Sequence, residues 1–215
     1  MKEDYKKEEV RNLILATAFE QFMSKGIKEV KMDDIASLLS VSKRTIYELF
    51  SDKEELLLEV LKLQNEKMRE EGKAIIRRSQ HVLDIILNLY GLYFDFLKRI
   101  NKKFFVELKR YPHIYKRNKE RETRNSKKFV AWMEMGRKQG LFREDANFEV
   151  FSYILRRDLE IIFMANLQSG DNELSKYTPE ELGRSIILFY LRGISTTKGQ
   201  EFIENYLNEY KETKR

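Results

Sequence analysis

The chain has 215 residues, 42% hydrophobic and 12% aromatic, which excludes a disordered polymer and supplies enough apolar surface for a buried core. It contains no cysteine, so a disulfide framework, a thiolate nucleophile and a cysteine-based metal centre are excluded. The net charge of +6 is unevenly spread: residues 1–60 hold 10 basic and 13 acidic residues, residues 61–128 hold 19 and 8, and residues 129–215 hold 12 and 14. An argument from overall basicity to nucleic-acid binding therefore fails for the first segment. The basic middle reads as solvated helix faces, with attraction of an anionic effector or of flanking DNA as the alternative. The start, MKEDYKKEEV, has charge but no apolar stretch, so it is no signal peptide, and no uncharged apolar run approaches the roughly 20 residues that span a bilayer. A cytoplasmic protein without a membrane partner is expected.

Only two prolines and no glycine-rich or low-complexity stretch interrupt the sequence, which predicts an all-α fold. Residues 8–25 predict a first helix with Val10, Leu13, Ile14, Thr17, Ala18 and Phe22 inward and Gly26 as its stop. Residues 32–39 predict a second, with Ile35, Ala36 and Leu39 on one face. Ser40-Val41-Ser42 is the turn, Val41 plugging the gap between helices and Ser42 serving as N-cap. A third helix, from Lys43 to about Leu49, buries Ile46 and Phe50 and turns Lys43, Arg44, Thr45 and Tyr47 outward at its N-terminal end. That is the end by which a recognition helix enters the DNA major groove. Arginine and lysine donate to guanine O6 and N7, a threonine methyl packs on thymine, and a tyrosine hydroxyl suits a phosphate. Ser51-Asp52-Lys53-Glu54 has the S-x-x-E form of a capping box, so a fourth helix begins there, and its free N–H groups with Lys53 would clamp one phosphate.

Residues 11–56 resemble the N-terminal domain of the tetracycline-repressor (TetR) family of transcriptional regulators. The resemblance is carried by Arg11, Ile14, Ala18, Phe22 and Gly26, then Asp34-Ile35-Ala36, Val41-Ser42-Lys43, Thr45-Ile46-Tyr47, Phe50 and Lys53-Glu54-Glu55-Leu56. It implies an all-helical homodimer with a small DNA-binding head, residues 1–52, and a larger helical body, residues 53–215, in which a small molecule lowers DNA affinity. The sequence departs from the family's pattern in three places. Ser40 stands where glycine is usual in a left-handed turn, at a cost of roughly 1 kcal/mol. Arg44 replaces a frequent glycine and adds a guanidinium at the groove. Glu48 and Leu49 stand where aromatic and basic residues often meet phosphates.

The fourth helix is expected to reach Gly72 or about Arg78, followed by helices over residues 81–99, 101–110 and 112–139, the last stopped by Gly140. This middle region is rich in large aromatic side chains. Tyr90, Tyr93, Phe94, Phe105, Tyr111, His113, Phe129, Trp132 and Met133 are candidates for lining an effector pocket suited to an apolar or anionic small molecule, against the plain alternative that all are core. Residues 147–167 predict another helix, ended by the Ser169-Gly170-Asp171-Asn172 turn. Thr178-Pro179-Glu180-Glu181 is a capping box opening a helix to about Leu191, and residues 197–200 cap a terminal helix. In the family resembled, two late helices of each subunit form the dimer interface. Phe151, Leu155, Ile162, Ile186, Phe189 and Tyr190 are the corresponding candidates, the alternative being that both helices belong to the monomer core.

No enzyme is expected. The two histidines, His81 and His113, are 32 positions apart, and no phosphate-binding loop, dinucleotide fingerprint or H-E-x-x-H occurs. No catalytic residue, metal ligand or cofactor is assigned. The function expected is a sequence-specific DNA-binding transcriptional regulator, a repressor released from an inverted-repeat operator by an effector. The alternative is a ligand-sensing or protein-interaction helical scaffold that does not bind DNA.

Overall fold

A computed structural model of the chain describes the backbone of residues 2–165 and 176–213. Among the described residues ten α-helices follow in order: α1 Lys2–Lys25, α2 Met32–Leu38, α3 Lys43–Leu49, α4 Lys53–Arg78, α5 Val82–Lys98, α6 Lys102–Leu108, α7 Pro112–Lys138, α8 Phe148–Ala165, α9 Pro179–Ile194 and α10 Thr197–Thr213. The all-α expectation holds. The turn expected at residues 169–172 and the side chain of Ile162 lie outside the described residues.

Packing divides the chain into two compact units, Met1–Glu71 with Arg99–Asn118 and Gly72–Lys98 with Lys119–Arg215, rather than at the expected boundary between residues 52 and 53. The reason in the first unit is α6. Its N-cap residue Asn101 donates its backbone N–H to the Met23 carbonyl at 2.6 Å and its side-chain amide to the Ser24 carbonyl at 2.8 Å, closing the end of α1. The Asn101 side-chain oxygen meanwhile accepts the Lys103 N–H, so one residue caps α6 and anchors it. Glu107 accepts the Lys28 backbone N–H at 2.7 Å, and Lys103 pairs with Glu29 at 2.7 Å. Ile100, Phe104 and Leu108 are buried in the same compact unit as the buried Ile14, Phe22, Ile35, Ile46, Phe50 and Leu57. Leu13, expected inward, faces solvent.

The first unit also ties α1 to α4. Arg11 donates to Glu59 at 2.7 Å while its guanidinium lies 5.5 Å from the centre of the Phe50 ring. The hydrogen bond from Lys62 and the bond from Arg11 together hold the Glu59 carboxyl below its ordinary range.

The second unit is built around Leu83, Ile86, Met133, Phe142, Phe148, Leu155, Ile187, Leu191 and Ile203. Gly140, at φ +71°, ends α7 as expected, and the chain then touches the end of α9 through an isolated antiparallel bridge between Phe142 and Ser195. The α10 cap lies one residue earlier than expected: Thr196, not Thr197, accepts the Gly199 N–H and donates its own hydroxyl to the Gly140 carbonyl at 2.7 Å. Thr178 caps α9 with a reciprocal box to Glu181, as the sequence indicates.

Helices α5 and α9 meet where Gly183 faces Phe94. A Cβ at that glycine would sit 2.2 Å from the Phe94 ring, so the absence of a side chain is what lets the ring approach α9 there. We expect Gly183→Ala to lower unfolding free energy by about 1–3 kcal/mol through overpacking, although alanine is the better helix former. Denaturant unfolding measures it, and a second change, Phe94→Leu, should recover part of the loss; a stabilised Gly183→Ala protein would contradict the contact.

Candidate nucleic-acid interface

The geometry of α2 and α3 follows from one short link. Ser40 adopts φ +54°, the left-handed conformation expected of this position, and the Val41 N–H reaches back to the Ala36 carbonyl at 3.1 Å. Ser42 is extended and its hydroxyl oxygen accepts the Thr45 N–H at 3.0 Å, so α3 starts where the sequence indicates. Ile46 and Phe50 are fully buried, which by helical periodicity turns Lys43, Arg44, Tyr47 and Glu48 to solvent. Tyr47 is 51% exposed, a large aromatic left uncovered beside two cations.

Neither cation stands alone. The Lys43 ammonium pairs with Asp33 on α2, and Arg44 Nε donates to Glu48 Oε1 at 2.7 Å one turn further along α3. The hydrogen bond to Asp33 raises the Lys43 pKa, and the bond to Glu48 raises that of Arg44, so both stay charged. All four groups are in water, so these pairs exchange readily with other anions. The Arg44 contact uses Nε only. Both Nη groups have no protein partner among the described residues, and they form the fork that matches two acceptors side by side. Thr45 is half-buried and its hydroxyl is engaged with Ser42 at 2.8 Å, so it is less available than the sequence suggests.

Lys53 is placed differently from the expected phosphate clamp. Its ammonium donates to the carbonyls of Ile27 and Val30, each at 3.0 Å, and of Lys28 at 3.4 Å, closing the turn after α1. Desolvation in this position lowers its pKa. The cap of α4 is also shifted by one residue: Asp52 accepts the Glu55 N–H at 2.8 Å, while the Glu55 carboxylate accepts both the N–H and the hydroxyl of Ser51 at 2.7 Å. Asp33 and Glu48, the partners of the two exposed cations, were not among the expected site residues. The Arg44–Glu48 spacing of four was the readable signal for one of them.

The aromatic residues expected to line one pocket fall in both compact units. Phe105, Tyr111 and His113 belong to the first, where Phe105 packs edge-on to Phe104 at 5.5 Å, burial raises the Tyr111 pKa and His113 is exposed. Tyr90, Tyr93, Phe94, Phe129, Trp132 and Met133 belong to the second. There Tyr90 contacts Phe94 and Phe129 at 6.3 and 6.2 Å, and Met133 is fully buried.

The interface candidates also divide. Phe151 and Leu155, at 6% and 2% exposure, lie in the monomer core, because Phe151 stacks on Phe129 at 5.8 Å and both side chains face inward on α8. Ile186 packs partly on that core, and the Tyr190 hydroxyl donates to Asp158 at 2.6 Å. Phe189 is 77% exposed, and among the described side chains of α8 the exposed large apolar residues are Val150, Tyr153 and Ile154.

Three comparisons bear on this arrangement. The family described as bacterial regulatory proteins, tetR family, matches residues 14–60, which run from the buried Ile14 of α1 through α3 into α4. Among solved structures, a putative transcriptional regulator from Saccharomonospora viridis in complex with choline superposes with a TM-score of 0.74 at 20% identity, covering 88% of this chain and 99% of that one. A TetR-family transcriptional regulator from Agrobacterium tumefaciens gives 0.70 at 14% identity, covering 88% and 100%. A TetR transcriptional regulator from Chloroflexus aurantiacus gives 0.70 at 18% identity, covering 89% and 98%. At these identities the likeness is one of fold. Among curated proteins none matches.

The placement of Lys53 generates a test. Lys53→Ala should destabilise the first unit by about 1–3 kcal/mol, since three carbonyls lose a charged donor. The salt dependence of DNA binding should stay unchanged, whereas a phosphate contact would contribute about 1 to the slope per subunit. A slope reduced by that amount with unaltered denaturant stability would return Lys53 to the interface.

Proposed function

We propose that the chain, whose residues 14–60 match the tetR family of bacterial regulatory proteins, is a DNA-binding regulator that acts as a homodimeric repressor released from an inverted-repeat operator by a small-molecule effector. The observation that carries this reading is the outward face of α3, where Lys43, Arg44 and Tyr47 stand exposed over a buried Ile46. On a two-fold dimer the recognition helices would enter successive major grooves about 34–36 Å apart or somewhat more. An effector releases DNA to the extent that it prefers a separation of the heads that the grooves do not fit.

Within that reading Arg44 reads a guanine with its two free Nη groups, and Glu48 positions it through Nε. The carboxylate then serves orientation as well as opposing the phosphate backbone, which keeps sequence-independent affinity low. The rival reading, a helical scaffold without DNA affinity, draws on the acidic balance of residues 1–60 and on the pairing of both exposed cations.

Selection of bound fragments from random duplex DNA separates the two. The wild-type protein should enrich an inverted repeat; no enrichment at moderate salt would favour the scaffold. Arg44→Ala should cost about 1–3 kcal/mol on the enriched site and relax preference at one base pair per half-site. Glu48→Ala should relax the same base pair while raising affinity for unrelated DNA, an outcome that a purely repulsive carboxylate would not give.

The dimer is carried by α8 and α9, and Phe189 is its sharpest probe because the structure leaves it outside the core. Phe189→Arg should fold normally and weaken self-association on the order of 100-fold, as removal of a central aromatic contact does. Sedimentation reads this directly, and a wild-type protein that is monomeric at micromolar concentration would contradict it.

A further inference from the structure

Among the described residues, three guanidinium Nε atoms are buried without a hydrogen-bond partner: those of Arg121, Arg137 and Arg156. Arg137 is otherwise well held, with Nη1 on Glu134 at 2.8 Å, Nη2 on the Ala146 carbonyl and its plane 4.2 Å from the Phe148 ring centre. Arg156 lies over the Tyr153 ring at 5.8 Å. Arg121 differs, because among the described residues it makes no hydrogen bond, ion pair or ring contact. The adjacent Glu122 is committed to Lys119 at 3.0 Å, and the other nearby charge, Arg124, has the same sign. A guanidinium does not release its proton at physiological pH, so Arg121 holds a positive charge that burial disfavours, that the Glu122 carboxylate offsets only through space, and that no group among the described residues pairs with directly.

The surroundings say what could offset it. Arg121 is eleven residues, three helical turns, before Trp132 and so on the same stripe of α7. That helix runs antiparallel to α8, as the Ser126–Ser152 hydrogen bond at 2.8 Å and the Phe129–Phe151 stacking show. Tyr90 joins Phe129 of α7 to Phe94 of α5. Burial and the Glu122 carboxylate push the Tyr93 hydroxyl up to about 12, against the downward pull of the Arg121 and Lys119 charges. The residue as a whole is 43% exposed, its hydroxyl end lying among protein atoms. The hydroxyl therefore stays protonated at neutral pH and can donate beside the guanidinium.

We propose that Arg121 recognises the anionic head, a carboxylate or a phosphate, of an amphipathic ligand whose apolar part lies against Tyr90, Phe94 and Phe129. The proposal rests on the effector-responsive reading above and gives that effector its chemical class. Charge-assisted, two-pronged bonding to a planar or tetrahedral oxyanion is what a free guanidinium supplies, and a donor hydroxyl beside it adds direction. A cation or a neutral alcohol gains nothing from it.

The test uses the full chain and needs no DNA, so its failure is separable from a failure of the DNA reading. Trp132 emission is titrated with decanoate, decyl phosphate and decanol, and thermal unfolding is followed without ligand. At least one anion should bind about 10-fold or more tighter than decanol, Arg121→Met should erase that advantage, and Arg121→Lys should recover part of it. Preference for decanoate identifies the carboxylate class, preference for decyl phosphate the phosphate class. Without ligand, Arg121→Met should raise the Tm by about 2–4 °C, because a half-buried guanidinium with an unpaired Nε gives way to an apolar chain. Equal binding of decanol, absence of binding by all three to millimolar concentration, an anion preference that survives Arg121→Met, or a lowered Tm in that variant would each overturn the proposal.

Discussion

The left-handed residue between α2 and α3 is the constraint on which the candidate interface depends. Ser40 takes φ +54° without being glycine, and only that reversal lets Val41 reach back to Ala36 and delivers Ser42 as the cap of α3. A strained non-glycine residue persists when its surroundings over-determine it. Here Ile35 and Ala36 below and Ile46 and Phe50 beyond are all buried, so no other direction of α3 keeps the core closed. The direction of α3 in turn decides that Arg44 and Tyr47 face outward. Support continues through Phe50 to Arg11 and Glu59, and through the turn after α1 to Lys53, Asn101 and Glu107.

Electrostatics around α3 favours selectivity over general attraction. Residues 1–60 carry more acid than base, and each exposed cation of α3 has a carboxylate beside it. Approach to any duplex must displace or tolerate those acids. A surface of this kind gains little from phosphate alone and depends on fitted contacts at base edges for its affinity. The three carbonyls that Lys53 holds point the same way, since they engage its ammonium within the chain and leave fewer free charges for the backbone.

All ten helices were legible in the sequence, because few breakers interrupt it and glycines or capping residues mark most ends. The two misplaced caps have a common cause. Ser51-Asp52-Lys53-Glu54-Glu55 contains two overlapping boxes, Ser51 with Glu54 and Asp52 with Glu55, and the sequence does not choose between them; the structure takes the second, which starts α4 at Lys53. Thr196 and Thr197 pose the same ambiguity, resolved by the bond from Thr196 to Gly140. Of the residues expected at a dimer interface, apolar content marked the helices α8 and α9, but only packing separates the inward Phe151 and Leu155 from the outward Phe189. The joining of α6 to the first unit had no local signal at all. It rests on hydrogen bonds from the Asn101 side-chain amide and backbone N–H to carbonyls 77 and 78 positions earlier in the chain.

The most direct test of the central claim, that the outward face of α3 is the DNA-reading surface, is amide hydrogen exchange with and without a sequence-selected duplex. The account predicts added protection concentrated between Ser42 and Glu48, at the start of α3, and in the α2–α3 turn that positions it. Protection that left these residues unchanged and fell instead on another basic face, such as α7, would contradict it.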